Sequence, residues 1–319
     1  MIRTNIISAV IIGVALNGLS PANAVAFDEK VLNSVVSVLP NWLRWKQENS
    51  EARMPNAPEG TAVAIFKGGY LITNAHVLGP AKEVDIRLNN GNLLGVQIVG
   101  RDLRTDLALL KAPREFPAFD VAPAPKLGNS VCTAANQFGL GLSVTCGVVS
   151  ALHRTGTGFN VIEDFVQTDA VVNPGGSGGA LVDGDSRLVG MISAIFTKES
   201  DSNIGINFAT SSKLLIRVAT DLRDHGRVLW GNPGLRVGAL NTDQRRKWSG
   251  AKILDIDPGG GAELAGLELG DIVTQIGHRQ IVKPTDVVSE IAFYRAGEAV
   301  PISYLRGGQK TETTLTLKP

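Results

Sequence analysis

The sequence is poor in several features that would have pointed to particular classes of protein. Its 319 residues include only 2 Cys and 4 His, and no metal-ligand cluster, nucleotide-binding loop or haem motif is apparent. No cofactor and no metal are therefore expected. An excess of one charge is also missing, because 31 Lys and Arg stand against 30 Asp and Glu. A net charge of +1 gives no electrostatic footprint for nucleic acid or an anionic membrane.

A hydrophobic run long enough to span a bilayer is absent as well. The apolar stretch from Ile6 to Leu16 follows Arg3 and falls short of the roughly 20 residues that a membrane span needs. Ala22-Asn23-Ala24 then supplies the small-residue pattern that signal peptidase cuts. Residues 1–24 are predicted to be a signal peptide cleaved after Ala24, which places the mature protein in the periplasm or outside the cell.

The rest of the chain is rich in glycine and in short apolar segments. With 36 Gly and 15 Pro, the composition favours many short strands over long helices. Turn signals such as Gly68-Gly69, Asn90-Gly91 and Asp183-Gly184 separate two sets of about six strands, which predicts two closed β-barrels. A helical period over 211–222 closes this part of the chain, and a Gly/Pro-containing joint follows at 230–234.

The two cysteines lie 14 positions apart and flank a glycine-containing turn. If that turn centres near Gly139, Cys132 and Cys146 face each other across a hairpin. In an oxidising compartment they could then form a disulfide, which we predict, although two buried thiols remain the alternative.

A serine surrounded by glycines is the strongest local signal for chemistry. In the segment 173–179, Asn-Pro-Gly-Gly-Ser-Gly-Gly, the glycines permit a tight turn that exposes the hydroxyl of Ser177. They also leave backbone N–H groups uncovered. Gly175, Gly176 and Ser177 are therefore candidates for an oxyanion hole, in which Gly175 and Ser177 supply the converging donors.

A serine nucleophile needs a base, and the base needs an orienting carboxylate. Among the four histidines, His76 directly follows a β-run, whereas the other three have surroundings typical of surface loops. Asp106 precedes a buried strand, while Asp102 lies among arginines and is interpreted as a solvated loop charge. His76, Asp106 and Ser177 are therefore the predicted catalytic residues. The pattern Gly-x-Ser-x-Gly also fits an α/β-hydrolase, but that fold places the serine first and leads it into a helix.

Three segments in this order resemble the Deg/HtrA family of trypsin-like serine proteases. They are 73–77 around His76, 105–111 around Asp106, and 167–179 around Ser177. The resemblance implies a mainly β, chymotrypsin-like double barrel over 25–228. It also implies proteolysis of unfolded or damaged exported proteins. Gly176 departs from the family, which commonly has Asn there. A chaperone or peptide sensor with vestigial proteolysis is the alternative function.

By analogy with the chymotrypsin-like fold, Val171, Ile192 and Ile206 are expected near the specificity pocket. No carboxylate is available there, so the pocket would prefer a small or medium aliphatic side chain. Packing within the core is the alternative role of these strand residues.

The last part of the chain, 229–319, resembles a small α+β PDZ domain, most clearly at 261–273. The resemblance implies that a loop and strand receive the C-terminal carboxylate of a peptide, which adds a strand beside a helix. The residues expected to bind it are Gly234, Leu235, Arg236, Val237, Val288 and Ile291. Family members with one PDZ domain typically form trimers, so a homotrimer is expected, to which Trp42 and Trp45 could contribute.

Overall fold

The computed structural model describes residues 27–41, 59–197 and 203–319, without the side chains of 194–203. The predicted signal peptide and the two tryptophans at 42 and 45 lie outside these residues. No helix within the described ranges combines the length and apolar character that crossing a membrane requires.

The first barrel is closed and antiparallel, with strand order β1-β2-β3-β6-β5-β4. Its strands are β1 Val35–Pro40, β2 Gly60–Phe66, β3 Tyr70–Asn74, β4 Val84–Arg87, β5 Leu93–Asp102 and β6 Leu107–Lys111. A short helix, α1 (Ala75–Leu78), follows β3. Strand β1 begins only at Val35, because Glu29–Ser34 form a 3₁₀ turn whose N-terminus Asp28 caps. Alternating apolar residues fill the interior of this barrel.

The second barrel is also closed, with strand order β10-β11-β12-β9-β8-β7. Its strands are β7 Ser130–Ala135, β8 Ser143–Arg154, β9 Phe165–Thr168, β10 Ala180–Asp183, β11 Leu188–Thr197 and β12 Asn203–Ser211. A disulfide joins Cys132 to Cys146, which are register partners on β7 and β8 with Cα atoms 4.0 Å apart. The predicted hairpin therefore has the expected register.

One amphipathic helix, α2 (Ser212–His225), covers the junction of the two barrels. Ser211 caps its N-terminus through a bond from Leu214 N, and Gly226 ends it in the left-handed conformation at φ 68. Its apolar face enters a buried cluster with side chains of β2, β6, β7 and β11. The helix therefore fixes the position of one barrel relative to the other.

The C-terminal part forms an antiparallel sheet of order β13-β14-β15-β17-β18, with β16 beside β15. Its strands are β13 Leu235–Gly238, β14 Ala251–Ile256, β15 Ile272–Ile276, β16 Arg279–Gln280, β17 Ala299–Arg306 and β18 Gln309–Thr316. Its helices are α3 Thr242–Arg245, α4 Gly261–Leu264 and α5 Pro284–Ile291. Since β13 lies at the end of this order, it is an edge strand that α5 flanks.

The α/β-hydrolase alternative is wrong. Among the described strands, the pairs within all three sheets are antiparallel, and Ser177 leads into strand β10 rather than into a helix. Residues 27–41, 59–197 and 203–319 form no parallel sheet flanked by helices, which that fold requires.

Candidate active site

His76 and Asp106 are in direct contact. His76 lies in the first turn of α1, and Asp106 lies in the turn between β5 and β6 with φ 57. His76 Nδ1 is 2.6 Å from Asp106 Oδ2, and the His76 backbone N–H donates to Asp106 Oδ1 at 2.8 Å. Both carboxylate oxygens therefore engage the same histidine. This contact orients the ring through Nδ1 and does not involve Nε2, the nitrogen that a histidine base would use.

The side chain of Asn74 stabilises the turn that contains Asp106. Its amide nitrogen lies within hydrogen-bond distance of the Asp106 carbonyl at 3.1 Å and Asp106 Oδ2 at 3.2 Å. The same nitrogen is 3.0 Å from Ser193 Oγ on the second barrel. The Ala75 backbone N–H also donates to the Asp106 carbonyl at 2.9 Å. Asp106 is thus held by donors from the end of β3, which stabilise its left-handed backbone conformation.

Ser177 lies in the loop between β9 and β10, where that loop contacts both barrels. Its carbonyl accepts the Thr61 N–H of the first barrel at 2.9 Å, and Gly178 N–H donates to the Ile192 carbonyl of the second at 2.8 Å. A Cβ at Gly178 would lie 2.7 Å from Thr73 Oγ1, three residues before His76. The hydrogen bonds among the described residues include none between His76 and Ser177, so their role as a pair remains a prediction.

The turn preceding Ser177 has the backbone pattern of a type II turn. Gly176 N–H donates to the Asn173 carbonyl at 2.9 Å, with Pro174 and Gly175 as the central residues. Gly175 has φ 89, which this turn type requires at its third position. Gly176 N–H is therefore engaged within the turn. Gly175 and Ser177 N–H have no acceptor within the described part of the chain, which is compatible with their prediction as oxyanion donors.

The three residues expected near the specificity pocket differ in their exposure. Val171 is 44% exposed, Ile206 is half-buried, and Ile192 is buried among the apolar side chains inside the second barrel. The Ile192 backbone contacts the Ser177 loop through Gly178 and Gly179. Its side chain has the core-packing role that was the alternative, and the pocket assignment remains a prediction.

A groove of about 320 Å³ lies between β13 and α5. Its lining includes Leu235, Arg236, Val237, Val288 and Ile291. These are five of the six residues predicted for peptide binding.

Two features of this groove were not predicted. The Gly234 N–H donates to Asn232 Oδ1 at 2.9 Å, so it is already engaged within its own loop. Side chains from outside the C-terminal sheet also line the groove, namely Arg104, Ile162 and Trp230. Both barrels and the joint between the domains therefore contribute to its wall.

Comparison with known proteins agrees with this geometry. Residues 60–191 match the sequence model of the trypsin-like peptidase domain, and residues 202–317 match that of the PDZ domain. The periplasmic pH-dependent serine endoprotease DegQ of Escherichia coli K12 is 34% identical over 258 residues. That alignment covers 78% of this chain and 56% of DegQ.

A solved structure, the HtrA-type protease AlgW with a tripeptide, superposes with a TM-score of 0.72 at 32% identity. It covers 90% of this chain and 95% of the AlgW chain. This chain belongs to the Deg/HtrA family of trypsin-like serine proteases with a C-terminal PDZ domain. It spans about half the length of the curated relatives that it matches. The predicted chymotrypsin-like double barrel followed by an α+β PDZ domain is confirmed.

One residue of this Deg/HtrA chain was wrongly interpreted from sequence. Asp102 is buried at 9% exposure instead of being a solvated loop charge. Its Oδ2 accepts the backbone N–H and the hydroxyl of Thr105 at 2.9 and 2.6 Å, and its Oδ1 accepts Trp230 Nε1. Asp102 therefore shapes the turn that presents Asp106.

His153 is exposed, as expected, but it has a buried partner that was not predicted. Its Nδ1 lies 2.8 Å from Asp164 Oδ1, and Ser211 donates to Asp164 Oδ2. Burial disfavours the ionised form of Asp164, but these hydrogen bonds outweigh it and hold the pKa of the carboxyl below its usual value. Arg279 of the PDZ domain lies 3.7 Å from the same carboxylate, so this cluster connects the two domains.

Proposed function

We propose that this chain is a secreted serine endopeptidase that uses His76, Asp106 and Ser177. The observation that carries the proposal is the His76–Asp106 contact, in which one carboxylate binds both the ring and the backbone of the histidine. The support for Ser177 is its place in a loop bonded to both barrels, in which the next residue, Gly178, lies close to Thr73 on the strand that leads to His76.

The reaction follows from these positions. Asp106 accepts a hydrogen bond from the Nδ1–H of His76. The unprotonated Nε2 can then take the proton of the Ser177 hydroxyl as the hydroxyl oxygen attacks the peptide carbonyl. The Gly175 and Ser177 N–H groups would stabilise the oxyanion, each worth roughly 3 to 4 kcal/mol. His76 then returns the proton to the leaving amine, and water hydrolyses the acyl-enzyme in the same way. Val171, Ile192 and Ile206 are the proposed neighbours of an aliphatic specificity pocket.

The substrates that we propose are unfolded or damaged exported proteins, and the site of action is the periplasm. The names of the relatives support this location, since DegQ and DegP are described as periplasmic serine endoproteases. We further propose cleavage of a signal peptide after Ala24, a protease domain over 25–228, a PDZ domain over 229–319 and assembly as a homotrimer.

For the PDZ domain we propose binding of peptide C-termini in the groove between β13 and α5. The edge position of β13 leaves one side for an added strand, and apolar residues line the groove. Solved relatives described as carrying a tripeptide and a decapeptide support a peptide ligand.

Degradation of casein by the wild type and by Ser177→Ala tests the proposal. We expect casein fragments that accumulate with the wild type and not with the variant. A fluorophosphonate probe followed by mass spectrometry should label Ser177. Labelling of no serine, or equal degradation by both proteins, would contradict the assignment. If Ser177→Ala still protects a denatured protein from aggregation, a chaperone function would exist beside proteolysis or in its place.

A further inference from the structure

A partly buried ion pair lies behind the turn that supplies the proposed oxyanion donors. Glu59 and Arg87 belong to the first barrel, where Arg87 Nη1 donates to Glu59 Oε1 at 2.7 Å and a second bond joins Nη2 to Oε2. The Glu59 side chain is only 5% exposed. Its Oε2 also accepts Asn136 Nδ2 of the second barrel at 2.6 Å. The carboxylate therefore ties the segment after β7 to the first barrel.

Asn136 connects Glu59 to the segment 136–141. Its side-chain oxygen accepts the Gly141 N–H at 2.9 Å, which closes the segment into a loop. Its own backbone N–H donates to Thr61 Oγ1 at 3.0 Å. Because Asn136 is fully buried and Glu59 is bonded on both oxygens, the loop has little freedom to shift.

The same loop and Thr61 hold the carbonyl groups of the oxyanion turn. Phe138 N–H donates to the Pro174 carbonyl at 2.7 Å, and Thr61 Oγ1 donates to the Gly175 carbonyl at 2.8 Å. A trans peptide is planar, with its C=O and the following N–H pointing in opposite directions. The bond from Phe138 therefore fixes the direction of the Gly175 N–H, which is the proposed oxyanion donor.

We propose that Glu59, held by Arg87, is a positioning residue for the oxyanion hole. Through Asn136 it places Phe138 N–H against the Pro174 carbonyl and so directs the Gly175 N–H at the substrate oxygen. This inference rests on the proposed serine peptidase activity. In this proposal Glu59 and Arg87 act through Asn136, and their effect is confined to the tetrahedral state, where charge develops on that oxygen.

The test compares Glu59→Ala, Glu59→Gln and Arg87→Met with the wild type on a fluorogenic peptide with an aliphatic residue before the cleaved bond. Arg187→Met, which removes an arginine bonded to Asp183 on the distal hairpin of the second barrel, is the matched control. We expect kcat to fall about 10- to 100-fold in Glu59→Ala with KM nearly unchanged. Glu59→Gln, which keeps an acceptor for Asn136, should retain more activity. The variant with both Glu59→Ala and Arg87→Met should be no worse than Glu59→Ala alone.

A pair of inhibitors separates positioning from a general loss of structure. The Ser177 oxygen adds to the carbonyl carbon of a peptide aldehyde, and the serine proton passes to the former carbonyl oxygen. In the resulting hemiacetal that oxygen occupies the oxyanion hole. The matching peptide alcohol cannot form this hemiacetal. Glu59→Ala should lower the affinity for the aldehyde by the same factor by which it lowers kcat. The affinity for the alcohol should stay unchanged. An equal loss of affinity for both inhibitors would overturn the role of Glu59. A loss of kcat no larger than that in Arg187→Met would do the same. A wild type without Ser177-dependent cleavage would instead refute the proposed function itself.

Discussion

Trp230 Nε1 donates a hydrogen bond to Asp102 Oδ1 at 3.1 Å, across 128 positions of sequence. Trp230 belongs to the joint before the PDZ sheet and lines the groove between β13 and α5, whereas Asp102 ends β5 in the first barrel. The other oxygen of Asp102 holds Thr105, the residue before Asp106. One indole therefore contacts both the groove and the turn that presents the proposed catalytic acid.

Trp230→Phe should loosen this turn while keeping an aromatic ring beside Arg104 and Arg217. Loss of a hydrogen bond to a charged group should lower the free energy of unfolding by about 1.5 to 3 kcal/mol. Hydrogen exchange measured by mass spectrometry should become faster over 102–111. Trp248→Phe, beside Gly308 in the PDZ domain, is the matched control and should leave that exchange unchanged. Unaltered exchange in Trp230→Phe would mean that the bond does not support the turn.

The burial of Asp102 could not be predicted from the sequence. Its arginine neighbours at 101 and 104 predict a solvated carboxylate, because the sequence around Asp102 shows only which residues are adjacent to it and not which distant residues cover it. Burial came instead from Trp230, whose contact depends on how the PDZ domain docks. The partner of the exposed His153 was not predicted for the same reason, since Asp164 reaches it across a bulged pairing of β8 and β9.

The features that sequence did predict are those with a local or periodic cause. The barrel strands follow from short apolar runs between turn signals, and α2 follows from its period of 3.6. The pairing of Cys132 with Cys146 follows from a hairpin turn near Gly139. The left-handed backbone of Asp106 depends on bonds from Asn74 and Ala75, which are distant in sequence and which no local pattern records.

The disulfide between Cys132 and Cys146 closes the hairpin that carries the 136–141 loop. By the chain-entropy estimate, a loop of this length is worth about 3 kcal/mol of stability. The double variant Cys132→Ala with Cys146→Ala should therefore lose about 2 to 3 kcal/mol in urea unfolding. Wild type unfolded in the presence of a thiol reductant should approach the same value. If the oxidised and reduced proteins unfold at the same urea concentration, the bond does not contribute in this way.

Asp221 on α2 connects the barrels to the PDZ domain and should make stability depend on acid pH. It is 1% exposed, and it accepts bonds from Arg217, Leu229 N and Arg295. Burial alone would raise the pKa of Asp221, but these three partners lower it below its usual value. Because the folded pKa lies below the unfolded value of about 3.9, the stabilisation is complete above that pH and is lost as pH falls through the folded pKa.

Asp221→Asn should therefore cost about 3 to 5 kcal/mol at pH 7, since it leaves two arginines without their carboxylate. The difference from wild type should shrink as the pH is lowered from about 4 towards 2. Urea unfolding at several pH values measures this. Asp224→Asn, which removes a solvent-exposed pair with Arg223 at the end of the same helix, should change little. A gap between Asp221→Asn and wild type that stays constant with pH would exclude titration of this carboxyl.

The PDZ groove offers a direct test of peptide binding through Val288. This residue is 37% exposed on α5 and lines the groove with Leu235 and Ile291. Val288→Glu would place a carboxylate in an apolar wall and near the carboxylate of the ligand. We expect the affinity for a peptide with a free, apolar C-terminus to fall at least about 10-fold, because an unpaired charge resists burial.

Fluorescence anisotropy with a labelled peptide gives the affinity, and the same peptide with an amidated C-terminus reports how much the carboxylate contributes. Val282→Glu is the matched control, since Val282 is exposed in the same domain and does not line the groove. Because Gly234 N–H is engaged by Asn232 Oδ1, capture of a carboxylate there requires that bond to be exchanged for one to the ligand. Asn232→Ala removes this competition and should strengthen binding of the free acid while leaving the amidated peptide unchanged. Equal effects on both peptides would place the carboxylate elsewhere in the groove.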